Sequence, residues 1–561
     1  DRFARQGMRF TNAYTAASVC SPTRASIYTG KAPARLRITT FLPGRGDAAS
    51  QLLLHPIINQ QLPATETTIA SRLRALGYRS GLIGKWHLGG KGSLPTDHGF
   101  DLYYPGKAKT EPSDTEGGKG EYELTSHAEK FIEENKAKPF LLFLCHNNPH
   151  IPLFAKADLV KKHKDAFNPT YAAMIETLDD SIGRILAKLD SLGLTDDTIV
   201  IFTSDNGGLD ILESILSPST FNGIFRGGKG FLYEGGVRVP LIVRWPGRIP
   251  AGKEEPTPVI STDWTPTFLD IAGAKTKDRF DGVSLAGLLT RGERLPDRAL
   301  YWHLPHYTNQ GSRPSGAIRD GDWKLIEHYE NGACELYNVK SDPSERDDLA
   351  AKESARVATL RGKLEQWRRD VGAQGNAANP HFSGKLWKTL YLDNDPSRFP
   401  RKDTAALMAK DQAAWRKGMN DVLKPKSENG AGAVILHARD AKIHGAKLRY
   451  EPEPHKDTLG FWVNKDDWAE WTFEFPSAGR FEVELLQGCG KGSGGSEIEV
   501  EVAGQKLPIK VTETGHFQRF VPRVIGVVDA PAGKGTLTVR AKSKPGGAVM
   551  DLRRVTLKAA P

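Results

Sequence analysis

Up to about residue 290 the chain alternates helix-length amphipathic segments with strand-length apolar ones, and this rhythm restricts its folding more than any other feature. The periodicity predicts a helix over 68–76 ended by Gly77 and a strand over 78–83 stopped by Gly84. It then predicts a helix over 127–134, a strand over 140–145 behind Pro139, a long helix over 171–192 closed by Gly193, and a strand over 198–203. Helix followed by strand, repeatedly, is the pattern of an α/β domain whose large mixed, mostly parallel sheet is covered by helices. Such sheets bind ligands in polar loops at the carboxyl ends of their strands.

Those loops carry the chemistry-bearing residues. Cys20-Ser-Pro-Thr-Arg24 opens a turn-to-helix segment, where a thiol beside a cation can be lowered in pKa. Gly84-Lys-Trp-His-Leu-Gly89 follows a strand, and an extended backbone would put Lys85 and His87 on one face. Asn147-Asn-Pro-His-Ile-Pro152 holds His150 between two prolines, a platform for acid–base work. Ser204-Asp-Asn-Gly-Gly208 offers the adjacent hard oxygens of Asp205 and Asn206 to a divalent cation. Arg226-Gly-Gly-Lys-Gly230 lets an anion approach backbone and the Lys229 ammonium together, without the spacing of a Walker A loop. Each of these also fits a plain structural role when taken alone.

The rest of the chain changes character. A smaller α+β subdomain is expected over 296–372, with a hairpin at 317–326 turning on Asp320-Gly-Asp322 and a charged helix over 354–371. Residues 373–432 read as a connector with a helical piece near 404–423. From 433 to 561 short alternating strands with Gly and Pro turns (468–475, 480–486, 497–502, 536–541, 552–557) predict a β-sandwich. Domain boundaries therefore fall at 1–295, 296–372, 373–432 and 433–561.

Lys plus Arg number 77 and Asp plus Glu 67, so the net charge is 77 − 67 = +10. With no long basic run, that excess does not indicate nucleic acid; it suits a polyanionic substrate. No apolar run approaches the roughly 20 residues of a membrane span. The four cysteines are widely spaced and contain no CxxC pair, so neither a zinc knuckle nor a disulfide framework is indicated.

In this order and with these neighbours, the five loops resemble the type I, formylglycine-dependent sulfatases of the alkaline-phosphatase-like superfamily. Cys20-Ser-Pro-Thr-Arg24 looks like their CxPxR signature, and Glu335-Leu-Tyr-Asn338, Asp342-Pro343 and Asp348-Leu349 look like their C-terminal subdomain. The resemblance covers about residues 1–372. It implies that Cys20 is oxidised to formylglycine by a maturation enzyme and hydrated to a diol, one hydroxyl attacking sulfur and the other expelling sulfate. By the same resemblance Arg24 holds the diol and His87 is the base of the elimination. Lys85, His150 and Lys229 clamp sulfate, with His150 or Lys229 protonating the leaving oxygen. Asp205 and Asn206 bind Ca²⁺, or Mg²⁺.

The family completes its metal site with two consecutive aspartates on a first strand. No Asp-Asp pair precedes Cys20, and the expectation is that this strand, with a signal peptide, lies upstream of Asp1. Without it, two protein ligands and an exposed sheet edge are expected. Arg35, His303 and His306 are candidates for the leaving-group pocket, and equally for ties between subdomain and core. The 433–561 segment resembles carbohydrate-binding modules, with Tyr450, Phe461, Trp462, Trp468 and Trp471 as available aromatics; Trp468 and Trp471 also fit a core. The function expected is removal of sulfate esters from a sulfated polysaccharide or oligosaccharide, in the periplasm or outside the cell. Alternatives are a phosphoric or phosphonic monoester hydrolase of the same superfamily and an inactive glycan-binding homologue.

Overall fold

A computed structural model of the chain describes residues 1–106, 118–213, 217–423, 434–452, 456–475 and 477–560. It divides into two compact units. One comprises Asp1–Gly44, Ile58–Ala378 and Lys388–Arg416, and the other Arg45–Ile57, Asn379–Trp387 and Lys417–Pro561.

The first unit is α/β. Strand Arg79–Gly84 lies between Leu102–Tyr104 and Phe140–Cys145, and both pairings are parallel. A second sheet runs in the order Val200–Thr203, Leu241–Arg244, Met8–Phe10, Lys253–Glu255. There Leu241–Arg244 is antiparallel to both neighbours, and only the last pairing is parallel, so the architecture is mixed. Among the described residues Phe140–Cys145 pairs with Arg79–Gly84 alone and Val200–Thr203 with Leu241–Arg244 alone. Every residue of these two apolar strands is only half-buried, the exposure of strands that lack a second neighbour. No helix among the described residues is long and apolar enough to cross a membrane.

Local chemistry sets most boundaries. Thr68 caps the helix Ile69–Arg74 by accepting from the Ser71 amide, and Asn168 caps Pro169–Ser191 through Tyr171. The helix expected over 127–134 runs from Glu121 to Asn135, because its first turn carries buried Glu121 and no apolar period announces it. Tyr28 packs the helix Cys20–Thr29 onto the parallel sheet. Its ring lies 5.2 Å from Trp86, stacked, and 4.9 Å from Phe143, edge-on.

Sequential antiparallel strands Ala299–Leu304, Ser315–Asp320, Trp323–His328 and Cys334–Asn338 form the smaller sheet. Leu360 and Leu364 of the helix Ser354–Asp370 pack on Ile318, Leu325 and Leu336. Lys324 of this sheet is fully buried between Glu234 (2.9 Å) and Glu345 (3.0 Å). Glu234 also accepts from Tyr14 (2.7 Å) and pairs with Arg238 (3.2 Å), while Glu345 accepts from the Glu234 amide (2.7 Å).

The second unit is β-rich. One sheet contains Arg449–Glu451, Thr458–Gly460, Asp551–Ala559, Gly479–Gly488 and Val521–Ala530; the other contains Lys442–His444, Trp468–Phe475, Gly533–Ala541, Glu497–Val502 and Gln505–Lys510. Trp462 and Trp471 are core residues, with indole N–H groups donating to the carbonyls of Asp467 and His437. Trp468 is covered on its ring by His444 (centroids 3.7 Å apart) and by the Arg540 guanidinium at 3.3 Å. The tryptophans considered for a sugar face are thus spent on packing. Phe461 is half-exposed beneath the Arg449 guanidinium, and Tyr450 donates to Asp457.

Removing Lys324 takes away the cation between two buried carboxylates and leaves Glu345 without its ammonium partner, while Arg238 stays on Glu234. Lys324→Met is expected to lower unfolding free energy by about 3–5 kcal/mol, read from the urea midpoint at unchanged slope.

Candidate active site

The loops singled out by sequence converge in the first unit, around the start of the helix Cys20–Thr29. Cys20 is 3% exposed and forms the floor. Four groups act on its thiol: the Lys229 and Lys85 ammonium groups through charge, and the His150 and His87 imidazoles beside it. Burial alone would raise the thiol, yet these four hold it well below its ordinary value. Lys229 in turn is held above its ordinary value: burial opposes its charge, and Cys20, Glu213 and Asp205 together more than compensate.

Arg24 stands one turn along the same helix. Its Nε donates to Asp205 Oδ2 at 2.9 Å, a terminal nitrogen lies 2.7 Å from the same oxygen, and its other terminal nitrogen donates to the Lys85 carbonyl at 2.6 Å. One guanidinium therefore joins the Cys20 helix to the loops behind strands Arg79–Gly84 and Val200–Thr203.

The face shared by Lys85 and His87 does not come from extended backbone, as the spacing suggested. Strand Arg79–Gly84 ends at Gly84, and His87 itself has φ +60. Trp86 between them is buried, its indole donating to the Ser93 carbonyl at 2.8 Å, so its neighbours turn away from the core. Gly84 is required by close approach: at φ +97, a Cβ would lie 2.0 Å from the Cys145 carbonyl oxygen. His87 Nε2 faces the Leu42 carbonyl at 2.8 Å and must donate to it, which leaves Nδ1 as the acceptor nitrogen. Nδ1 is buried and has no hydrogen-bond partner.

His150 stands at the exposed rim. Its Nδ1 donates to the Ile151 carbonyl at 2.6 Å, so Nε2 accepts from Lys229 Nζ at 3.0 Å. The Lys229 charge, then burial, pushes the His150 imidazolium below its ordinary pKa. The glycine loop carrying Lys229 lies on the Asp205 loop. The Lys229 amide donates to Gly208 at 2.9 Å and the Gly207 amide to Gly236 at 3.0 Å. A Cβ on Gly207 would lie 1.8 Å from the Gly235 carbonyl oxygen.

Asp205 and Asn206 give a partial fit to a cation. Asn206 Oδ1 is buried without a partner, as a ligand oxygen would be. Asp205 is already paired with Arg24, and the described residues hold no group of three or more His, Cys, Asp or Glu side chains arranged for a metal. Two oxygens are well short of the six to eight of a Ca²⁺ cage.

The three leaving-group candidates have protein partners. Arg35 grips Asp281 with two nitrogens (2.9 and 2.7 Å) and reaches the Asp370 carbonyl. His303 is buried between the Tyr329 hydroxyl (2.7 Å) and the Gln374 carbonyl (2.9 Å), and burial pushes its pKa down to about 4. His306 is buried against Thr39 Oγ1 at 2.8 Å. All three tie the fold together.

Sequence reading missed Lys119 and Glu121. Glu121, fully buried, accepts from the amides of Asn147 and Asn148 (2.8 Å each) and from His146 (2.6 Å). Lys119, 3% exposed, donates to the His150 carbonyl. Both precede or open a helix more than twenty residues from the loop they hold, and no local pattern marks them.

Comparison with known proteins gives the family. The family model described as Sulfatase matches residues 1–274, and that described as N-sulphoglucosamine sulphohydrolase, C-terminal, matches 223–370. An arylsulfatase of Hemicentrotus pulcherrimus is 29% identical over 415 residues, covering 63% of this chain and 72% of that protein. The N-acetylgalactosamine-6-sulfatase of Mus musculus is 32% identical over 338 residues, covering 54% of this chain and 63% of that protein, just short of two thirds of its length. Among solved structures, Ps i-CgsB in complex with k-i-k-neocarrahexaose matches with a TM-score of 0.57 and 26% identity, covering 75% of this chain and 92% of that one. A mixed α/β fold, the ordered loops and these matches agree: residues 1–370 of the chain are those of the sulfatase family, the sulfuric ester hydrolases of the alkaline-phosphatase-like superfamily.

Proposed function

We propose that the protein removes sulfate esters from a sulfated polysaccharide or oligosaccharide, using a formylglycine made from Cys20 by a maturation enzyme. The observation that carries this is the meeting of Lys85, Lys229, His87 and His150 on one buried side chain, Cys20. Three kinds of support bear on the substrate: the mouse relative, an N-acetylgalactosamine-6-sulfatase; the oligosaccharide in the Ps i-CgsB complex; and the net charge of +10. A periplasmic or extracellular setting belongs to the same proposal and rests on family resemblance.

Oxidised and hydrated, position 20 would supply an oxygen nucleophile toward sulfur. The surrounding residues have separable tasks. Lys85 and Lys229 neutralise sulfate oxygens, where charge accumulates as the ester oxygen departs. His150, with Nδ1–H fixed on the Ile151 carbonyl, works through Nε2, shared with Lys229 at 3.0 Å. This pair can pass a proton to the leaving alcohol. His87 presents a free Nδ1 and has its other nitrogen committed to Leu42, so it can accept a proton at position 20. Arg24 sets the distance between the nucleophile's helix and the Lys85 loop. A cation would take Asp205 and Asn206 as two of its ligands and offset sulfate charge.

Peptide mass spectrometry over position 20 tests conversion of the thiol to the aldehyde. Cys20→Ala is expected to abolish sulfate release from sulfated glycans, and undiminished turnover by that variant would refute the nucleophile. Lys229→Ala is expected to lower kcat by about 10²–10³-fold with the fold intact by circular dichroism.

In unconverted protein, the Cys20 thiol has its folded pKa depressed, so the thiolate is the form favoured by the fold. Its ultraviolet absorbance should persist well below the ordinary thiol range and disappear only as pH falls through the lowered value. Lys229→Met should move that transition upward.

A further inference from the structure

We propose that Lys119 is a third ammonium group of the oxyanion site, acting through His150: it fixes the His150 loop by donating to that residue's carbonyl and adds its charge to those of Lys85 and Lys229. The inference rests on the reading of the Cys20 pocket as an oxyanion site and adds a positioning residue to it.

The geometry is specific. Lys119 lies between Gly118 (φ +86) and Gly120 (φ +68) and itself has φ +54, three successive left-handed residues just before the helix Glu121–Asn135. A lysine is costly in this conformation and costly to bury. Both costs are met here to bring Nζ to one backbone oxygen, that of His150. The Lys119 carbonyl in turn accepts from the Asn147 side chain at 3.2 Å. Two residues on, Glu121 takes the amides of Asn147 and Asn148. The segment 119–121 thus holds the His150 loop at both ends, by its amides and by its carbonyl.

The electrostatics point the same way. The groups facing Lys119 are Glu121 from its own segment, Lys85 from the loop after strand Arg79–Gly84, and Lys229 from the glycine loop. His150 touches it through the carbonyl, and His146 pairs with Glu121. Burial, only partly opposed by Glu121, and the two other ammonium groups push Lys119 down to about 8. Cations gathered this closely repel one another until an anion enters. A bound tetrahedral oxyanion should therefore raise the Lys119 pKa, and by linkage the anion should bind best while Lys119 is protonated. Affinity is then full below about pH 8 and declines as pH rises through that value.

The probe is inorganic sulfate. Its inhibition constant is measured against aryl-sulfate turnover by the matured enzyme. Its direct binding is measured by calorimetry on Cys20→Ala chain, which needs no turnover. Expected are a loss of affinity between about pH 7 and about pH 9 in the parent and binding weaker by about tenfold in Lys119→Met at pH 7. Lys119→Arg, whose charge does not titrate in this range, should restore much of the affinity and flatten the pH profile. Loop fixation without charge would lower kcat but leave the sulfate profile unmoved.

Should Lys119→Met fail to fold, the parent's profile and that of Lys119→Arg still decide. A parent affinity flat across that range, or Lys119→Met binding sulfate as the parent does, overturns the role of Lys119 alone. Absence of sulfate binding by the parent overturns the oxyanion reading and this inference together. Sulfate binding without sulfate-ester turnover leaves the Lys119 proposal standing and counts against the proposed reaction.

Discussion

Arg24 is the joint on which the site depends. A single guanidinium, one turn from Cys20, holds the Asp205 carboxylate and the Lys85 carbonyl, and so fixes three loops that are far apart in the chain. The bond is directional and largely withdrawn from water, which makes it a spacer as well as an attraction. Loss of that spacer would let the Lys85 loop and the Cys20 helix drift, and sub-ångström placement is what an attack on sulfur requires.

Around this joint the fold gathers like charge at a cost. Lys85 and Lys229 act together on one small volume, lowering the Cys20 thiol and depressing His150, and with burial they depress Lys119 as well. Such an arrangement persists only because rigid elements hold it. The glycine loop is pressed onto the Asp205 loop so closely that Gly207 has no room for a side chain. Behind that loop, Glu234 and Glu345 close on buried Lys324. The repulsion would be relieved when an anion enters, which is the electrostatic logic of the proposed sulfate-ester binding.

Much of this was legible in sequence, for physical reasons. Strand 140–145 and the sandwich strands 468–475 and 497–502 were read at their true limits because an apolar or alternating run is itself the cause of the strand. The Cys20, Lys85, His150, Asp205 and Lys229 loops were found because glycine and proline mark them. The start of the helix at Glu121 was missed, since buried Glu121 is there to hold the loop of residues 147–148 and breaks the apolar period. Arg35, His303 and His306 looked available for a ligand because polarity in a sequence says nothing of partners. Asp281, Tyr329, Gln374 and Thr39 had already claimed them.

Sequence by itself determined the α/β rhythm, the antiparallel subdomain, the β-rich C-terminal region and the identity of the side chains able to handle an oxyanion. These follow from short-range periodicity and residue chemistry, which the chain carries locally. Tertiary structure alone decided which polar groups face one another: that Trp86, not an extended backbone, aims Lys85 and His87; that Lys119 reaches the His150 carbonyl; that Trp462 and Trp471 are core. Those outcomes depend on contacts between residues distant in the chain, where burial and partner geometry, rather than residue type, set the role of each side chain.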